Sequence, residues 1–142
     1  MAQTFAPEVA GLGTIPSTKA NGGVQGGRLR RFRATVAFDG QDIGDTIVLA
    51  EVPAGYTFAY GVINATATLG GTATIAIGTA SSVGKYRIAA TQTATGPTLF
   101  GVASAADDVP LEAEERVILT VAAAALPDSS NFAVVDLYFS AP

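Results

Sequence analysis

A chain of 142 residues is the size of one domain, with a core that buries about two-thirds of the surface its unfolded form exposes. The absence of cysteine excludes disulfides and thiolate metal sites, and the absence of histidine removes the usual general base, the Ser-His and Cys-His nucleophile pairs and the commonest nitrogen ligand for zinc. Net charge is −4, with 14% charged and 49% hydrophobic residues, and so little charge beside so much apolar side chain implies that a partner covers part of the surface.

No apolar run approaches the roughly 18 residues a membrane span needs, and the opening MAQTFAPEVAGLGTIP lacks a charged start followed by an apolar segment. A soluble, unexported chain without membrane contact is expected. Residues 1–28 are glycine-rich, with Pro7 and Pro16, and show no sustained period. They read as an extended N-terminal arm whose apolar residues Phe5, Val9, Leu12 and Ile15 are too widely spaced for a core but suit anchoring on another surface.

Residues 29–142 read as one β-sandwich domain. The run GGRLRRFR places Arg28, Arg30, Arg31 and Arg33, half of the eight basic side chains, at the entry to it. From there Phe32, Ala34, Val36 and Phe38 alternate with Arg31, Arg33, Thr35 and Ala37, which puts the apolar set on one face of a strand and the arginines on the other. After the loop DGQDIGD comes a strand at Thr46–Val52, closed by Pro53-Ala54-Gly55. A strand over Tyr56–Thr66 follows, then Leu69-Gly70-Gly71 as a hairpin signal, then Thr72–Ile77 with Ala73, Ile75 and Ile77 on one face. The second half supplies Lys85–Ala89, Thr98–Val102, Arg116–Val121 and Phe132–Phe139. Between the second and third of these, residues 103–115 hold either one helical turn at Leu111–Glu115 or an acidic turn into the next strand. Eight short strands between turn residues make the chain all-β: an antiparallel sandwich, jelly-roll-like in its arrangement.

Chemistry is sparse. Asp107-Asp108 and Glu112-Glu114-Glu115 hold enough carboxylates for an acid and a base, but there is no tryptophan to stack a sugar, and a solvated acidic loop explains them. Asp39, Asp42 and Asp45 stand three apart in a turn, without the alternate acidic positions and terminal glutamate of a calcium loop. The segment GTASSVGKY misses the phosphate-binding loop by one residue between its glycines and by tyrosine where Ser or Thr must follow lysine. No catalytic residue, cofactor or metal is therefore assigned.

The arginines do not read as a nucleic-acid site. Residues 34–142 carry three basic against eleven acidic side chains, a body that repels phosphate. Four arginines on an acidic domain form a basic seam suited to an acidic protein partner or a sister subunit, or else a solvated strand face.

The ordered run Gly44–Gly55, then Gly61-Val62-Ile63-Asn64, Thr74–Ala80, and Leu111–Glu115 before Ile118–Val121 resembles the small β-sandwich decoration, or cement, proteins of tailed-bacteriophage capsids. The resemblance spans about residues 30–140. It implies a non-enzymatic protein made in the host cytoplasm and placed on the outer surface of the virion. There it would act as a homotrimer that bridges major capsid protein subunits, with Phe5, Val9, Leu12 and Ile15 as arm anchors and Arg28–Arg33 as a charged hinge. The alternatives are a head-fibre, tail or baseplate sandwich, and a carbohydrate-binding module stacking sugars on Tyr56, Tyr60, Tyr86 or Tyr138.

Overall fold

The computed structural model describes residues 2–4, 6–7, 10–11, 14, 16–19 and 25–142. Among these, eight strands form: β1 (Arg28–Asp39), β2 (Thr46–Val52), β3 (Thr57–Ala65), β4 (Thr74–Gly78), β5 (Arg87–Thr91), β6 (Thr98–Phe100), β7 (Glu115–Ala122) and β8 (Asp128–Ala141), with a short helix α1 (Val102–Asp107) before β7. All pairings are antiparallel. One sheet has the order β1-β8-β3-β6 and the other β2-β7-β4-β5, the order of a jelly roll.

The chain passes from one sheet to the other at nearly every connection, and among the described residues β4–β5 is the only pair of sequence neighbours that also pair in space. The Leu69-Gly70-Gly71 turn is therefore not a hairpin. It carries the chain across the sandwich: Leu69 is buried in the core, its N–H donates to the Gln92 carbonyl at 3.1 Å, and Gly70 takes the left-handed conformation that costs glycine least.

Alternation decides what is buried, with its phase switched by the register shifts at Phe58/Tyr60 in β3 and Val48/Ala50 in β2. Val36 and Phe38 of β1, Ala133, Val135, Leu137 and Phe139 of β8, and Phe58 and Ile63 of β3 face Leu49 and Val52 of β2, Val117, Leu119 and Val121 of β7, and Ile75 and Ile77 of β4. One end of the core is aromatic. Phe139 meets Phe32, Phe58 and Tyr86 edge to face at centroid separations of 5.7, 5.3 and 6.0 Å, the arrangement ring quadrupoles favour.

Element ends shift where tertiary contacts outweigh local pattern. The strand expected over Thr98–Val102 stops at Phe100, and the helical turn lies at Val102–Asp107 while Leu111–Glu114 bend into β7. Gly101 causes this. It has φ 94° and packs so closely on Phe58 that an added Cβ would lie 2.2 Å from the ring, so the chain turns out of the sheet there. The strand expected at Lys85–Ala89 begins instead at Arg87, because the Lys85 N–H caps the preceding turn on the Ser82 carbonyl. β8 is longer than the apolar run Phe132–Phe139 because β1 also pairs with its polar start, where Asp128 stands opposite Asp39 beyond a register shift.

Candidate functional site

Period-two geometry divides the arginine cluster. Arg31 and Arg33 lie on the outer face of the β1-β8-β3-β6 sheet, and Arg28 and Arg30 lie on the opposite side, in line with Phe32 but beyond the end of the core. One continuous seam of four does not form. Arg33 is held in place by a carboxylate: its Nε and Nη2 donate to the two oxygens of Asp136 at 2.8 and 2.9 Å, a fork-to-carboxylate pair. Asp136 is only 4% exposed, although it stands on an outward-facing sheet surface, because Arg33 covers it. These hydrogen bonds hold the Asp136 carboxyl below its ordinary range against the opposing effect of burial, and Arg31 adds attraction. The same bonds raise Arg33. Phe5, Val9, Leu12 and Ile15 lie outside the described residues.

Cross-strand registers turn this outer face into rows. Arg31, Tyr138 and Tyr60 are side by side, and in the next row so are Arg33, Asp136, Val62 and Leu99. Tyr60 and Tyr138 stack at 4.6 Å and 16°. Leu99 is 70% exposed and Phe132 42%. The face thus combines aromatic and aliphatic side chains with arginine around a neutralised ion pair, the composition of a protein–protein contact centre.

The other tyrosines are placed elsewhere. Tyr86 is buried in the aromatic end of the core, and Tyr56 packs edge to face on Phe32 at 6.1 Å. A four-tyrosine sugar platform is not assembled, and Tyr60 and Tyr138 each spend one ring face on the other.

The acidic candidates border a cleft of about 880 Å³ between the 79–85 loop, α1 and the 107–115 segment, with Asp107, Glu112, Glu114 and Glu115 in its lining. Glu115 is already engaged. It accepts from Lys85 Nζ and the Tyr86 hydroxyl, and Lys85 also lies 5.2 Å from the Tyr86 ring centre. Burial, then the bond to Glu115, drives the Tyr86 phenol far above its ordinary value, so it is a fixed donor at neutral pH. The cluster ties the segment that leads into β5 to the first residue of β7 at the cleft wall.

Two sequence look-alikes resolve into turns. In DGQDIGD the Asp45 carboxylate accepts the Asp42 N–H at 2.8 Å and the Asp42 carbonyl accepts the Asp45 N–H at 3.0 Å. Among the described residues no group of three potential ligands comes together. In GTASSVGKY the N–H groups of Thr79, Ser82 and Lys85 bond to oxygens of the loop itself, which leaves them unable to cradle a phosphate. Gly78 is required because the Ser82 carbonyl would lie 2.2 Å from any Cβ.

Two polar residues escaped the sequence reading. Asp136, a lone carboxylate inside the apolar run AVVDLYF, is the signal that was present, since an acid at an outward strand position needs a cation beside it. Arg87 gave no local signal. Its guanidinium donates to the carbonyls of Ile75, Ala90 and Thr91 and to Gln92 Oε1, bracing a β4–β5 pairing whose register shifts between Ile75 and Ile77.

No protein-family model matches the chain, and no curated protein matches it. Solved structures do. A chain in the capsid asymmetric unit of cyanophage Pam1 aligns at TM-score 0.60 and 20% identity, covering 82% of this chain and 86% of that one. A chain in the capsid of Ralstonia phage GP4 gives 0.62, 19%, 82% and 84%, and one in the acid-stable capsid of Helicobacter pylori bacteriophage KHP30 gives 0.52, 13%, 80% and 88%. At these identities the likeness establishes a shared fold, and the near-equal coverage means that the aligned chains are about as long as this one.

Proposed function

We propose that this chain is a structural protein of a bacteriophage virion, and that it decorates the outside of the capsid as a homotrimer, bridging major capsid protein subunits through its N-terminal arm. The observation that carries the reading is the jelly roll shared, over 80–82% of this chain, with chains of three phage capsids. The outer face of the β1-β8-β3-β6 sheet supports it, because exposed Leu99, Phe132 and Tyr60 are what a covered surface requires. Many copies that each add a modest contact raise the barrier to shell rupture without high affinity per contact.

The test uses expanded capsids depleted of this protein. Full-length chain should cosediment with them to a fixed stoichiometry and raise the temperature at which they rupture, and chain lacking residues 1–27 should bind less. Failure to cosediment removes the decoration role, and equal binding by the truncated chain removes the arm. The free protein should have three times the chain mass by light scattering, and a strict monomer on and off the capsid removes the trimer.

A further inference from the structure

Each sheet has two edges, and three of the four are protected. β6 is three residues long, β5 is five and irregularly paired, and β2 carries a register shift between Val48 and Ala50. Shortness and bulges are the devices that stop sheets from pairing edge to edge. β1 is different. It is the terminal strand of its sheet, bonded to β8 on one side, and its register shift lies at its far end, between Ala37 and Asp39, not in mid-strand as in β2; from Arg28 opposite Ala141 to Ala37 opposite Phe132 the register is unbroken. On its other side no strand lies among the described residues, so every second residue turns its N–H and C=O to an open edge.

What marks this edge is charge. Arg28, Arg30 and Arg31 are exposed and form no ion pair among the described residues, in contrast to Arg33, which Asp136 holds. They project on both sides of the strand, Arg28 and Arg30 to one and Arg31 to the other. A strand laid along the edge would therefore meet cations on both of its faces. Two copies of β1 paired antiparallel would offer only Asp39 against four arginines on each strand, which disfavours self-pairing.

We infer that the open edge of β1 receives an extended acidic segment of another protein by strand addition, the backbone ladder holding it and Arg28, Arg30 and Arg31 selecting its carboxylates. This deepens the virion reading, and rests on it only for where the partner comes from.

The test needs no capsid. A fluorescein-labelled ten-residue peptide, half glutamate and half valine and threonine, is titrated against full-length protein by anisotropy, beside the same peptide N-methylated at every backbone amide. The unmethylated peptide should bind with an affinity that falls as salt rises, and should slow hydrogen exchange within residues 28–37. Methylation, or the triple change Arg28→Ser, Arg30→Ser and Arg31→Ser with Arg33 kept to preserve the fold, should each weaken binding by about tenfold or more. Three results overturn the inference: no binding; equal binding of the methylated peptide, which leaves only charge attraction; or binding seen only after residues 1–24 are removed, which makes the chain's own arm the occupant. Any of these leaves the capsid cosedimentation result standing by itself.

Discussion

Replacing Gly61 with alanine tests whether the sheet bearing the exposed face is close-packed as described. Gly61 of β3 lies opposite Phe100 of β6, and a Cβ there would sit 2.1 Å from Phe100 Cζ, whereas carbon atoms pack at about 3.5–4.0 Å. The ring has little room to retreat, since Phe100 is itself buried in the core. Overpacking of this kind costs about 1–3 kcal/mol, and alanine returns about 0.4–1 kcal/mol by restricting the unfolded chain. Because the overlap is severe, Gly61→Ala should lose about 2 kcal/mol net, a fall of about 6–8 °C in melting temperature for a chain of this length. Urea denaturation monitored by circular dichroism measures it. Phe100→Leu should destabilise the native background but cost at least about 1 kcal/mol less in the Gly61→Ala background, since the two positions share one space. A Gly61→Ala protein within about 0.5 kcal/mol of the parent, or strict additivity of the pair, would refute the packing argument.

Arg33→Ser should lower the urea midpoint at neutral pH and have a smaller effect in acid. The Asp136 carboxyl is held below its unfolded value, so its contribution is complete above about pH 4 and is lost as pH falls through the lowered folded value; equal losses at pH 7 and pH 3 would contradict that assignment. Arg87→Ala should cost about 2 kcal/mol by leaving the β4–β5 carbonyls without their donor, and Arg87→Lys should recover only part because one ammonium cannot reproduce the planar fork. Stability within about 0.5 kcal/mol of the parent in Arg87→Ala would remove the bracing role.

Much of the fold was legible because alternation is a local property. Phe32, Ala34, Val36 and Phe38, and likewise Ala73, Ile75 and Ile77, turn inward as their spacing requires, and DGQDIGD is the turn its composition describes. Pairing was not local. With β4–β5 the only adjacent partners among the described residues, nothing in Leu69-Gly70-Gly71 distinguishes a hairpin from a crossing between sheets. The six-residue helix has no side-chain cap and owes its position to Gly101 against Phe58, a contact invisible in the string.

The candidate surface was half legible for the same reason. Spacing put Arg31 and Arg33 on the face opposite Phe32, as the structure has them. It did not reveal that Asp136, 103 positions away, holds Arg33 and separates a structural arginine from Arg28, Arg30 and Arg31. The four therefore differ: one supports the fold, and three are exposed on an edge strand that pairs only with β8 among the described residues.

The central claim, that this chain is a decoration protein of a phage capsid, is tested most directly by an electron cryomicroscopy reconstruction, at side-chain resolution, of particles produced with this chain. The expected result is an eight-stranded jelly roll of this sequence on the outer capsid surface, around local three-fold axes, with residues 1–27 extended over neighbouring major capsid subunits. Density for the chain confined to the tail or baseplate, or its absence from the particle, would contradict the account.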